Sequence, residues 1–148
     1  MQNKIEIVKM SYKDCAQVAQ IDALSIANAW KEEDFCNAVD KEQQCYLVAK
    51  EGEQVIGFVG MIQALDEADI THIAVHPSFR GRQIATMLLD SLMEQAKKRL
   101  IHAIFLEVRE SNEPAKALYA KMQFEVLAIR KNYYKNPVEN AIIMKKTL

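Results

Sequence analysis

Apolar and polar positions change their spacing several times along the chain, and each change marks an element. "KIEIVKM" at 4–10 alternates, which predicts a strand, since a period of two puts every second side chain on one face. Ser11 then stands where a helix N-cap belongs, with Asp14 three residues on in capping-box spacing. Val18, Ile21, Ala23, Leu24, Ile26 and Ala27 predict an apolar stripe on that helix, which ends at Trp30. "KEEDFCNAVD" predicts a second, short helix with Phe35 and Val39 turned inward.

Three strands follow. "QCYLVAK" (44–50) and "QVIGFVGMIQAL" (54–65) flank a Glu51-Gly52-Glu53 turn and predict a hairpin. "ADITHIAV" (68–75) is the third, stopped by Pro77. Helical spacing returns over 83–99, at Ile84, Met87, Leu88, Leu92, Gln95 and Ala96. "IHAIFLEVR" (101–109) is a nearly continuous apolar run, as expected of a strand covered on both faces. "NEPAKALYAKM" (112–122) predicts a short helix, with Ser111 or Asn112 as N-cap and Pro114 in its first turn. "FEVLAIRKNYY" and "NAIIMKKTL" close the chain as strands around an Asn136-Pro137 turn. The order β-α-α-β-β-β-α-β-α-β-β predicts a mixed α/β sheet, mostly antiparallel, with helices on both faces. The unit 68–109 implies one right-handed parallel crossover. No internal boundary is visible, so 1–148 is expected to form one domain.

Composition narrows the function classes. A chain of 148 residues, half of them apolar, buries roughly 70% of its unfolded surface as one domain. The net charge of −1 does not suggest a polyanion partner, and no direct nucleic-acid binding is expected. No apolar run approaches the ~20 residues that span a bilayer, and "MQNKIEIVKM" lacks a signal-peptide core, so a cytoplasmic protein without membrane attachment is expected. Cys15, Cys36 and Cys45 are widely spaced and read as reduced thiols, and the three histidines have no metal spacing; no metal is expected. The expected state is a monomer or weak dimer.

The strand ending at Val75 runs through "HPSFRGR" into a helix. Unpaired N–H groups of a helix's first turn, two arginines (Arg80, Arg82) and the permissive Gly81 together suit a pyrophosphate, although the same residues also read as a solvated basic turn. Glu107 lies near the end of an apolar strand on the side of Phe105 and Ala103. It is either a solvated strand-end carboxylate or, if partly buried, a base working near neutral pH. His72 is a lesser contender for that base. Tyr119 is either core packing or a proton donor, and Asn112 an N-cap first and a ligand contact second. Lys131, Tyr133 and Tyr134 form an aromatic strand end, either a hairpin tip or the wall of a substrate groove.

These residues resemble the GNAT superfamily of acetyl-CoA-dependent N-acetyltransferases over nearly the whole chain. "IAVHPSFRGRQIATMLLD" is similar to its acetyl-CoA motif, Gln/Arg-x-x-Gly-x-Gly/Ala, and "LEVRESNEPAKALYAKMQF" and "RKNYY…NAIIMKK" resemble the segments that follow. Within the superfamily the bacterial ribosomal-protein-alanine N-acetyltransferase group resembles it most. "LEVR-x-SN", "ALY" and "R-x-NYY" occur together there, with an early Trp and a Phe five residues on, here Trp30 and Phe35. The resemblance implies that the backbone of Ile73, Ala74 and Val75 runs beside the pantetheine arm. It implies that N–H groups from Gly81 through Arg82, Gln83, Ile84, Ala85 and Thr86, with Arg80 beside them, bind the pyrophosphate, and that Asn112 touches the arm. It makes Glu107 the general base, Tyr119 the general acid, Trp30, Tyr133 and Tyr134 walls of the substrate groove, and the α-amino group of a ribosomal protein the substrate.

Three positions depart from the pattern. Gln83 replaces the first glycine, which is compatible with the site if the position keeps ordinary helical angles and the side chain points away. The hairpin loop "YYKNPVEN" is short, and Ala29 stands where a proline commonly precedes the tryptophan. Two alternatives therefore remain: a GNAT enzyme acting on a small-molecule amine or lysine side chain, and a non-catalytic acyl-CoA-binding module.

Overall fold

The computed structural model describes residues 4–26 and 28–148. Its seven strands are β1 (Ile5–Lys9), β2 (Gln44–Glu51), β3 (Gln54–Ala64), β4 (Glu67–Val75), β5 (Ala103–Arg109), β6 (Glu125–Tyr134) and β7 (Glu139–Thr147). Its four α-helices are α1 (Cys15–Ser25), α2 (Glu32–Val39), α3 (Ile84–Lys98) and α4 (Glu113–Lys121). All seven strands form one sheet in the order β1-β2-β3-β4-β5-β7-β6. Every neighbouring pair is antiparallel except β4–β5. The element order and the mixed sheet with one parallel pair agree with the sequence pattern.

Alternation along β2 separates two cores, because successive side chains leave opposite faces. Cys45, Leu47 and Ala49 pack with Ile84, Leu88, Leu89 and Leu92 of α3. Tyr46 and Val48 pack with Val18 and Ile21 of α1 and Phe35 of α2. Leu88, Leu89 and Leu92 are fully buried, each stabilising the fold by roughly 2 kcal/mol relative to exposure. α4 joins the α3 side through Tyr119, and Phe124, just after the helix, packs into the same core. Helices α1 and α2 lie against β2, β3 and β4, which leaves the same face of β5, β7 and β6 open.

The first helix departs from its expected stripe. Cys15, Val18, Ile21 and Asp22 are its buried residues, while Ala23, Leu24 and Ile26 are exposed, and Ala27 lies outside the described residues. The cause is Asp22: its carboxylate turns inward and accepts the Trp30 N–H at 3.0 Å, so the helix ends at Ser25 and Ile26 is already extended. In α2 Phe35 is buried as expected, Val39 packs half-buried against the same core, and Ala38 is buried beside them. The expected capping box holds: Asp14 accepts the Ser11 N–H at 2.9 Å. It also pairs with Lys50 at 2.7 Å, tying the start of α1 to β2.

Candidate active site

The site begins with a break in the sheet. β4 and β5 pair only from Glu67–Ala103 to Asp69–Phe105, although β4 continues to Val75 and β5 to Arg109. Thr71 accounts for the divergence. Gly60 opposes His72 and Met61 opposes Ile70, so Thr71 is one residue too many, and a bulge of this kind bends its strand. The bulge is pinned by Tyr46, whose hydroxyl lies 3.1 Å from Thr71 Oγ1 and 2.9 Å from His72 Nδ1. Tyr46 reaches that point by lying over Gly60, where any Cβ would overlap its ring. Beyond Asp69 the β4 backbone therefore faces a cavity on its β5 side without a partner strand among the described residues. Ile73, Glu107, Asn112, Tyr119 and Tyr134 line that cavity of about 370 Å³.

At the far end of β4 the chain turns through Pro77–Phe79 into α3. Gly57 lets α3 sit directly on the sheet: a Cβ there would lie 3.1 Å from the Ala74 carbonyl and 3.3 Å from side chains of Ile84 and Leu88. Gly81 has φ +82° with open space where a side chain would stand. Gln83, however, does not keep helical angles. It caps α3 in the left-handed region, φ 60° and ψ 26°, because helical geometry begins only at Ile84. Its carbonyl accepts the Met87 N–H at 3.1 Å and its side chain is exposed. The N–H groups of Ile84, Ala85 and Thr86 belong to the first turn, which has no carbonyl partners within the helix. Arg82 stands over the Phe79 ring at 5.1 Å and pairs with Glu51 at 3.4 Å, while Arg80 is exposed.

Glu107 lines both the 370 Å³ cavity and a second one of about 710 Å³, which also has Asp69, Arg130, Tyr133 and Tyr134 in its walls. The expected face is the observed one: Ile104, Leu106 and Val108 enter the α3-side core, so Phe105 and Glu107 point to the open face. Arg130 approaches the Glu107 carboxylate to 3.6 Å. An irregularity in β6 between Arg130 and Tyr134, with Asn132 at φ 55°, sets the two tyrosines apart from the regular ladder. Their rings meet edge to face at 5.1 Å. The neighbouring Glu107 carboxylate pushes the Tyr133 hydroxyl up; burial first, and then Glu107, pushes Tyr134 up.

Tyr119 is buried, with its ring edge-on to Phe124 at 5.8 Å. Burial pushes its hydroxyl up to about 12, which keeps the proton on the oxygen at neutral pH. Asn112 caps α4 by accepting the Ala115 N–H at 3.2 Å, as its position suggested, and also lines the smaller cavity. Trp30 lines neither cavity. It packs on His72 at 4.5 Å and Phe35 at 5.2 Å, supporting the cavity wall from behind. His72 lines the smaller cavity with Glu107; burial lowers its pKa, against the pull of Asp22. Sequence pattern singled out neither Asp22, Tyr46, Asp69 nor Arg130. Asp22 does sit seven residues from Cys15 on the buried face, and that spacing was its one signal.

A free strand edge meeting an anion-ready helix start fits a cofactor with an amide-bearing arm and a pyrophosphate. A family model described as acetyltransferase (GNAT) family matches residues 9–124. The chain belongs to that family. It is an acetyl-CoA-dependent N-acetyltransferase. Among similar proteins, the ribosomal protein bS18-alanine N-acetyltransferase of Haemophilus influenzae is 35% identical over 140 residues, covering 86% of this chain and 95% of its own. The enzyme of that name from Salmonella typhimurium is 34% identical over 137 residues, covering 91% and 92%. The crystal structure of the ribosomal-protein-S18-alanine N-acetyltransferase from Escherichia coli superposes with a TM-score of 0.89 at 29% identity, covering 97% of this chain and 94% of that one.

Proposed function

We propose that this GNAT enzyme acetylates the N-terminal α-amino group of a protein, a ribosomal protein beginning with alanine. On this reading 1–148 is one catalytic domain working in the cytoplasm. The observation that carries the proposal is the opening between β4 and β5. There Glu107, Tyr119 and the unpaired edge of β4 line one cavity, and the larger groove reaches the same Glu107 from the open face. The names of the relatives supply the acceptor class.

The cofactor fit rests on two features of the chain itself. The backbone of Ile73, Ala74 and Val75 offers N–H and C=O groups to the amides of the pantetheine arm, with Asn112 beside it. Arg80, Gly81, Arg82, Gln83, Ile84, Ala85 and Thr86 offer backbone donors and two charges to the pyrophosphate. Bound there, acetyl-CoA supplies an activated acetyl thioester. An α-amino group has a pKa near 8, so at pH 7 most of it is protonated and unreactive. Glu107 takes that proton, directly or through a water, and frees the nitrogen lone pair. N–H groups near Val75 face the carbonyl oxygen as negative charge grows on it. The freed nitrogen would attack the thioester carbonyl carbon; as the C–S bond breaks, Tyr119 Oη–H would give its proton to the sulfur, and the second proton on the nitrogen would return through water to the tyrosinate. Tyr133 and Tyr134 hold the acceptor in the groove, with Trp30 behind the His72 wall. Holding both reactants in one cleft lowers the barrier by several kcal/mol through orientation alone.

A short loop, 135–138, between β6 and β7 leaves the groove open and favours a second reading, a small-molecule amine or a lysine side chain as acceptor. The test is incubation with acetyl-CoA and either an alanine-starting ribosomal peptide, an N-blocked lysine peptide or a polyamine, with the acetylated nitrogen located by mass spectrometry. Acetylation of the α-nitrogen is expected. Turnover of the polyamine or lysine peptide alone would replace the proposal with the second reading, and tight acyl-CoA binding without any turnover would leave only a binding module.

A further inference from the structure

We propose that Asp69 selects acceptors by binding a positively charged side chain, Lys or Arg, on the residue that follows the acetylated one. This rests on the α-amino reading above. Asp69 is opposite Phe105 in the parallel pair, and Glu107 is two residues farther along β5 on the same face. At about 3.4 Å per residue and about 4.8 Å between strands, the Asp69 and Glu107 backbones are about 8 Å apart. That is within the span from an α-nitrogen to the tip of a long side chain one residue on.

The charges in the groove point the same way. Asp69, Glu107 and Arg130 are its charged lining residues. Arg130 is taken by Glu107 at 3.6 Å, and Lys145 stands over the Phe105 ring at 5.7 Å; among the described residues Asp69 forms no ion pair. Asp69 is exposed to the groove; partial burial, and then the charges of Glu107 and Glu67, push its carboxyl up, so a cation placed beside it is favoured. The acceptor amine cannot be that cation, because the amine must be neutral to react. A guanidinium or side-chain ammonium keeps its charge throughout. Ile62, Ile70 and Leu127 in the same walls accept the methylene stem of such a side chain.

The experiment measures kcat/KM with acetyl-CoA for three hexapeptides that begin with Ala and differ only in having Arg, Gln or Glu second, using wild-type protein and the variants Asp69→Asn and Asp69→Lys. The wild type should prefer Arg over Gln by about tenfold, and over Glu by more. The Arg/Gln ratio should fall to about one in Asp69→Asn, whatever the absolute rate, and Asp69→Lys should favour Glu. An Arg/Gln ratio near one in the wild type, or one that survives Asp69→Asn, overturns the assignment while leaving α-amino acetylation standing. Failure to acetylate any of the three peptides removes the α-amino reading and this inference with it.

Discussion

A guanidinium nitrogen of Arg130 lies 3.6 Å from a carboxylate oxygen of Glu107, at the point where the two cavities meet. The Arg130 side chain is 60% exposed, so the pair is worth well under about 1 kcal/mol and an arriving amine can displace it. Glu107 is thus held ready rather than blocked. Glu107→Gln keeps the shape and removes the proton acceptor. It should lower kcat by about 10²–10³ while acetyl-CoA binding, measured by calorimetry, stays within about twofold. A kcat close to wild type would exclude Glu107 as the base.

Tyr119→Phe should lower kcat by about 10², since the leaving sulfur loses its proton donor. It carries a separate signature in stability. The folded pKa is raised to about 12, against about 10 unfolded. The stabilisation tied to the protonated hydroxyl is therefore fully present below pH 10 and is lost as pH rises to 12. Urea midpoints at pH 9 and pH 11 should fall less for Tyr119→Phe than for wild type. Equal losses would mean that this tyrosine does not titrate as its burial requires.

Much of this was legible in the sequence, because hydrophobic period reports the face a residue shows to the core. The Glu51-Gly52-Glu53 turn between two apolar strands and the helical spacing of Leu88 and Leu92 needed no tertiary knowledge. Leu24 and Ile26 misled because apolar spacing cannot show that Asp22 will turn inward and end the helix. Glu107 was legible as a carboxylate in an apolar strand, but Asp69 was not. Its importance depends on the β4–β5 register, which joins residues far apart in the chain and stops where Thr71 bulges. Gln83 carried no conformational signal, since glutamine rarely occupies the left-handed region.

That conformation makes Gln83→Gly informative. A non-glycine residue at φ 60° costs roughly 1 kcal/mol, partly offset in a glycine variant by a more flexible unfolded chain. The variant should melt about 1–2 °C higher, at roughly 2–4 °C per kcal/mol for a chain of this size. Freed from its side chain beside the Gly81–Thr86 donors, it should also bind acetyl-CoA more tightly. A lower Tm with weaker binding would show that the glutamine side chain contributes to the site.

Gly60→Ala tests whether the opening in the sheet depends on Tyr46. The new Cβ would overlap the Tyr46 ring, so either the ring or β3 must move. Overpacking of this kind destabilises by about 1–3 kcal/mol, which urea unfolding would read directly. Displacing the ring also breaks the hydroxyl contacts to Thr71 and His72 that pin the bulge. Tyr46→Phe separates the two effects, since it keeps the ring and loses only the hydroxyl, at about 1 kcal/mol. If the bulge sets the divergence of β4 from β5, both variants should bind acetyl-CoA more weakly. Tyr46→Phe should do so with no more than that loss of stability, and unchanged binding there would mean that the strands part without help from Tyr46.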